Sequence, residues 1–150
     1  MVIILDANIL HKFFDILHED HRHYKPVYKC LFEKKGKIVL GGTTLKKELL
    51  ERNKKFLPVF AELSRAGKIL RLIDEEVDDL EKKLKDIEKS KDFDDPHIIA
   101  CIILSKTEVL VSDDSRADRF IKDKRFYPKK FIIPSIYRLY SHRHLMDSCS

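Results

Sequence analysis

The chain of 150 residues contains no tryptophan, only four glycines and only three cysteines. Each shortage excludes something. With only five prolines besides, the composition is that of a globular chain, and the sequence has no internal repeat or low-complexity segment. Cys30, Cys101 and Cys149 are odd in number and far apart, which argues against a disulfide framework and against a CxxC zinc site. A reducing, cytoplasmic setting is the expectation that follows, with Cys101 a small core residue. No apolar run approaches the roughly 20 residues of a membrane-spanning helix; even "IIACIIL" falls far short, so no membrane association is expected. The first apolar run is brief and ends at Asp6, so no secretory leader is expected.

What the chain has in quantity is charge. Charged residues make up 37% of it, beside 43% hydrophobic residues, well above the usual quarter or so. That predicts a core wrapped in salt-bridged helices. Abundant Lys and Glu without any Gln suit a heat-adapted source. The formal net charge of +5 favours an anionic partner such as nucleic acid. The length suits one domain, residues 1–150, with a tail frayed after about 145.

Short apolar strands alternate with amphipathic helices. "VIIL" opens the chain as a strand buried on both faces. A helical region then runs from about Asn8 to Glu33, broken near "HEDHRHYKP", where Pro26 is expected to start a new helix. "KIVLGG" reads as a strand, "TTLKKELLERN" as a helix capped by Thr43 or Thr44, and "FLPVFAELSRAG" as a helix stopped by Gly67. "KILRL" is a short edge strand. Asp74 is expected to cap "EEVDDLEKKLKDIEK", where Val77, Leu80, Leu84 and Ile87 repeat at helical spacing. Asp95 caps the buried helix "PHIIACIILSK". "EVLVS" is a strand, "DDSRADRFIKDK" a turn and helix, "KKFIIP" the last strand and "SIYRLYSH" the last helix. This alternation predicts a three-layer α/β/α sandwich on a parallel sheet of four or five strands.

Several carboxylates fall at corresponding places. Asp6 ends the first strand. Asp113 and Asp114 follow "EVLVS", with Ser112 just before them. Asp95 opens the most buried helix, and Glu48 lies on the inward stripe of its own helix, three residues from Leu45. Each has a structural alternative: turn or cap for the aspartates, an ion pair with Arg52 for Glu48. Working residues of α/β proteins, however, gather at the carboxyl ends of strands. Carboxylates converging there need cations between them, and hard ions such as Mg²⁺ or Mn²⁺ prefer all-oxygen ligands.

In this order and setting, "LDANIL", "TTLKKELL", "DDPHIIACIILS" and "VLVSDD" resemble the motifs of the PIN-domain family over almost the whole chain. The resemblance implies a nuclease that uses Mg²⁺ or Mn²⁺, most often on single-stranded RNA. Asp6, Glu48, Asp95 and Asp114 then become the metal-binding and catalytic acids, with Asp113 the alternative to Asp114. Asn8 and Ser112 support them. Small members of the family include VapC-type toxins blocked by a cognate antitoxin protein, and PIN proteins often form homodimers. A housekeeping nuclease on RNA or DNA, or an inactive nucleic-acid-binding module, are the other expectations. Arg116, Arg119, Lys46 and Lys47 are candidates for substrate phosphate, each otherwise a solvated surface charge. His18, His21 and His23 read as a solvated loop that could touch RNA with Tyr24 and Lys25, and His97 reads as packing.

Overall fold

A computed structural model describes all 150 residues. Its centre is a five-stranded, wholly parallel sheet in the order β3-β2-β1-β4-β5. The strands are β1 (Val2–Leu5), β2 (Lys37–Leu40), β3 (Ile69–Arg71), β4 (Val109–Val111) and β5 (Ser135–Tyr137). β1 lies in the middle, with Ile3 facing Ile38 on one side and Val109 on the other. Ile3, Ile4 and Leu5 are buried, as a strand covered on both faces requires. The three-layer α/β/α expectation is met.

Helices α1 (Leu10–Phe14), α2 (His21–Glu33), α3 (Thr43–Lys46) and α4 (Leu57–Arg65) lie in the first two crossovers. The later crossovers carry α5 (Asp74–Ile87), α6 (Pro96–Ser105) and α7 (Asp118–Ile121). Right-handed crossovers put these two groups on opposite faces of the sheet. Phe14 of α1 accordingly meets Phe60 of α4, and Phe93 just before α6 meets Phe120 of α7.

The order of strands runs outward from β1 to β3, then restarts at β4 on the other flank of β1. The two directions diverge between β1 and β4. Their carboxyl ends therefore open a crevice, the usual ligand position in such sheets. Gly41 and Gly42 bring β2 into this region. A Cβ on Gly41 would stand 2.6 Å from Leu72, and one on Gly42, whose φ is +80°, would stand 2.4 Å from Val77. Only glycine permits both the close approach and the left-handed turn.

The structure departs from the sequence expectations at several elements. Helix α2 begins at His21 and passes through Pro26, rather than starting there. The carbonyl that Pro26 cannot serve belongs to Arg22, which is exposed, so water can satisfy it. His21 is consequently buried in α2 rather than part of a loop, and buried Tyr24 has little surface for RNA. The cap before α3 is Gly42, not a threonine. Thr43 and Thr44 instead donate their hydroxyls to Asp78 and Glu81 of α5. Asp74 is the first residue of α5, and its carboxylate accepts the Gly42 amide and the Lys46 ammonium. The last strand is "SIY", not "KKFIIP". Pro134 has no N–H for a ladder, and Ile132 is left exposed. A 3₁₀ turn over Tyr140–Met146 replaces the last helix.

The tail is not frayed. Cys149 is buried and forms a disulfide with Cys30 of α2, while the Lys35 amide donates to the Ser150 carbonyl. The expectation of unpaired cysteines fails because the two partners are 119 residues apart. Only the packing of the tail against α2 brings them together. The expectation of a cytoplasmic setting thereby loses its cysteine support. No helix is long and apolar enough to cross a membrane.

Candidate functional site

Asp6 leaves β1 still hydrogen-bonded to its neighbour, its amide donating to the Val111 carbonyl at 2.9 Å. This carries the carboxylate to the point where the sheet divides. Ser112, the residue after β4, donates its hydroxyl to Asp6 Oδ2 at 2.9 Å and accepts the Asp114 amide at 3.1 Å. One buried hydroxyl thus ties the two strand ends together. Burial raises the Asp6 pKa against the opposing pull of the Ser112 bond, and the charge of Glu48 raises it further.

Asp95 stands at the cap position of α6, yet its side chain makes no capping hydrogen bond. Only its carbonyl serves the helix, accepting from the Ile98 and Ile99 amides. The carboxyl is pushed up to about 6, first by burial and next by the charge of Asp6; Glu48 and Asp114 add to the effect, while His97 opposes it. The charges of three acids from other elements therefore converge on Asp95, and that of Glu48 reaches Asp6 as well. That mutual repulsion is what a stability-driven arrangement would avoid.

Glu48 lies not in regular α-helix but in a π-helical turn, Lys47–Glu51, continuous with α3. Such turns widen a helix and recur at functional sites. The Asn53 side chain donates to the Glu48 carbonyl at 2.6 Å and fixes this turn. Glu48 forms no pair with Arg52; its Oε1 lies 3.1 Å from Nε2 of His97. His97 is 2% exposed, so packing describes its burial but not its polar contact. Burial alone would depress its pKa, but the Glu48 contact and the charges of Glu48, Asp95 and Glu81 prevail and raise it.

The doubled acid after β4 divides. Asp113 is held by Lys12 of α1 at 2.9 Å, and that bond raises the Lys12 pKa. Asp114 Oδ1 accepts the Arg116 amide at 3.1 Å. Asp114 and Asp95 line one cleft of about 330 Å³, with Arg116 and Arg119 on its wall. Both arginines already have acid partners, Arg116 with Asp114 at 3.6 Å and Arg119 with Asp92 at 3.4 Å. Lys46 is paired with Asp74 at 2.7 Å, whereas Lys47 is exposed and unpaired. The Asn8 side chain is exposed and caps nothing.

Sequence reasoning missed Arg138, just beyond β5. Its Nε donates to the Ser112 carbonyl at 3.0 Å while its two terminal nitrogens grip Asp118 at 3.0 and 2.7 Å. This bidentate pair braces the β4 loop from behind. No local pattern marks the residue, because its partners come from the loop after β4 and from α7.

No three His, Cys, Asp or Glu side chains are drawn together into a metal cage. The acids share a field without closing on a point. No protein-family model matches the chain, and no curated protein matches it significantly in sequence.

Proposed function

We propose that the chain is a divalent-metal-dependent nuclease that hydrolyses phosphodiester bonds of single-stranded RNA. The observation that carries this is the Asp95 carboxyl: it occupies a capping position, declines the cap, and sits among the charges of Asp6, Glu48 and Asp114. A half-buried carboxyl left unpaired in the field of three other acids at a strand-end crevice favours a cationic ligand over a purely structural role.

The donor chemistry suits Mg²⁺ or Mn²⁺, since the four acids offer only oxygen. Asp6, Glu48, Asp95 and Asp114 would hold the ion, which supplies Lewis-acid polarisation of the phosphate. Ser112 orients Asp6 through its hydroxyl. Lys12 draws Asp113 into an ion pair, which leaves Asp114 as the fourth acid. Lys47, Arg116 and Arg119 offer positive charge to the backbone of the substrate. Within this function, a toxin restrained by an antitoxin protein is the leading biological role, with a cytoplasmic site of action and a homodimer as the working assembly; a housekeeping nuclease is the other.

A second reading is an inactive nucleic-acid-binding module, favoured by the absence of a closed acid cage. Labelled single-stranded RNA incubated with Mn²⁺ or Mg²⁺ separates the two. Cleavage that disappears with EDTA and in Asp6→Asn supports the nuclease. RNA binding without cleavage under either metal supports the module.

A further inference from the structure

His97 is a buried polar side chain beside Glu48 that core packing alone does not explain. The ring is held by α6 among core residues and is 2% exposed. Its Nδ1 has no hydrogen-bond partner, and its Nε2 faces only one oxygen, Glu48 Oε1 at 3.1 Å. The two atoms lie within hydrogen-bonding distance without meeting the geometry of a formed bond. A buried imidazole with an unserved nitrogen is costly as mere packing. An apolar side chain would fill the same space without that cost.

Two of the acids are held and two are not: the Asp95 carboxyl has no side-chain partner, and Glu48 has the His97 contact alone. Asp6 is fixed by Ser112, and Asp114 by the Arg116 amide. The Glu48 side chain has no other hydrogen bond or ion-pair partner, and it hangs from a π-helical turn rather than a regular helix. A glutamate carries three rotatable bonds, so without a partner it samples many directions.

We propose that His97 is a positioning residue: its Nε2 aims the Glu48 carboxylate into the acid cluster, so that Glu48 acts as a ligand. This rests on the metal-dependent nuclease reading. It assigns the imidazole no contact with substrate or ion. Partners behind metal ligands are typically worth 10–100-fold in metal affinity or activity.

Three substitutions separate the aim of the ring from its bulk. His97→Gln can place an amide N–H where Nε2 stands. His97→Asn reaches only as far as Nδ1, and His97→Phe keeps the volume without a donor. Each is assayed for Mn²⁺ binding by calorimetry, for single-turnover cleavage of a single-stranded RNA oligonucleotide, and for melting temperature without metal. The expected result is Gln within about 3-fold of the wild type, and Asn and Phe weaker by about 10–100-fold in both Mn²⁺ affinity and rate. Loss in all three variants in step with their melting temperatures would overturn the proposal in favour of simple packing. So would wild-type behaviour in all three. A wild type that binds no Mn²⁺ and cuts no RNA would bring down the nuclease reading itself, and this assignment with it.

Discussion

Asp95 shows at the scale of one residue why the cluster is not a stability device. Burial, with the charges of Asp6, Glu48 and Asp114, pushes its carboxyl up to about 6 in the folded protein, against near 4 in an unfolded chain. Above pH 6 the native state therefore holds a charge that it disfavours. As the pH falls from 6 towards 4, the folded carboxyl takes up its proton before the unfolded one, and the penalty is relieved. Asp95→Asn should accordingly stabilise the metal-free protein at pH 7.5 by about 1–2 kcal/mol, after allowance for partial exposure. The gain should vanish near pH 4, and cleavage should be lost at every pH. Thermal melts of the two proteins across that range check the sign. Cys101 makes a contrast: burial, with Glu81 and Asp78 nearby, pushes its thiol up to about 12, which fits an inert core residue.

At the scale of elements, the loop after β4 gives the sharpest contrast between neighbours. Asp113 and Asp114 are adjacent in sequence, but one serves Lys12 of α1 and the other faces the cleft with Asp95. Asp114→Asn should lower cleavage by at least 10-fold, the usual scale for such sites. Asp113→Asn should leave the rate within a few-fold and reduce stability slightly through the lost ion pair. Rates and melting temperatures of the two variants decide it, and an equal loss of rate in both would undo the distinction. Sequence alone could not resolve this pair, because the deciding partner, Lys12, lies 101 residues away. The strand-end acids were legible, since an apolar run that stops at a carboxylate leaves a local trace. The π-helical turn around Glu48, the contact with His97 and the brace from Arg138 leave none. The misplacement of β5 has the same origin. "FIIP" is the more apolar segment, but strand pairing with β4 goes to Ser135–Tyr137, where no proline interrupts the ladder.

At the scale of the whole molecule, the sheet brings distant segments into one crevice at its carboxyl edge, and the disulfide ties the tail to α2 beside the start of β2, at the other edge. Cys30 and Cys149 join α2 to the tail across a separation of 119 residues. Closing a loop of about that length restricts the unfolded chain by up to roughly 4.7 kcal/mol on the entropic account. Cys30→Ser with Cys149→Ser should cost about 2–5 kcal/mol, read as a lower guanidinium midpoint. Cleavage per folded molecule should be unaltered, because the bridge lies on α2 rather than among the acids. An unchanged midpoint would mean that the tail packs as well without the bond.

The central claim is that acids from four elements hold one kind of ligand, a divalent cation, at the divide of the sheet. Calorimetric titration of the metal-free protein with Mn²⁺, beside Asp95→Asn, tests it most directly. The account predicts saturable binding by the wild type, at least 10-fold weaker in the variant, with a melting temperature that rises with Mn²⁺ concentration only for the wild type. No saturable binding at millimolar Mn²⁺ or Mg²⁺, or equal binding by both proteins, would contradict it.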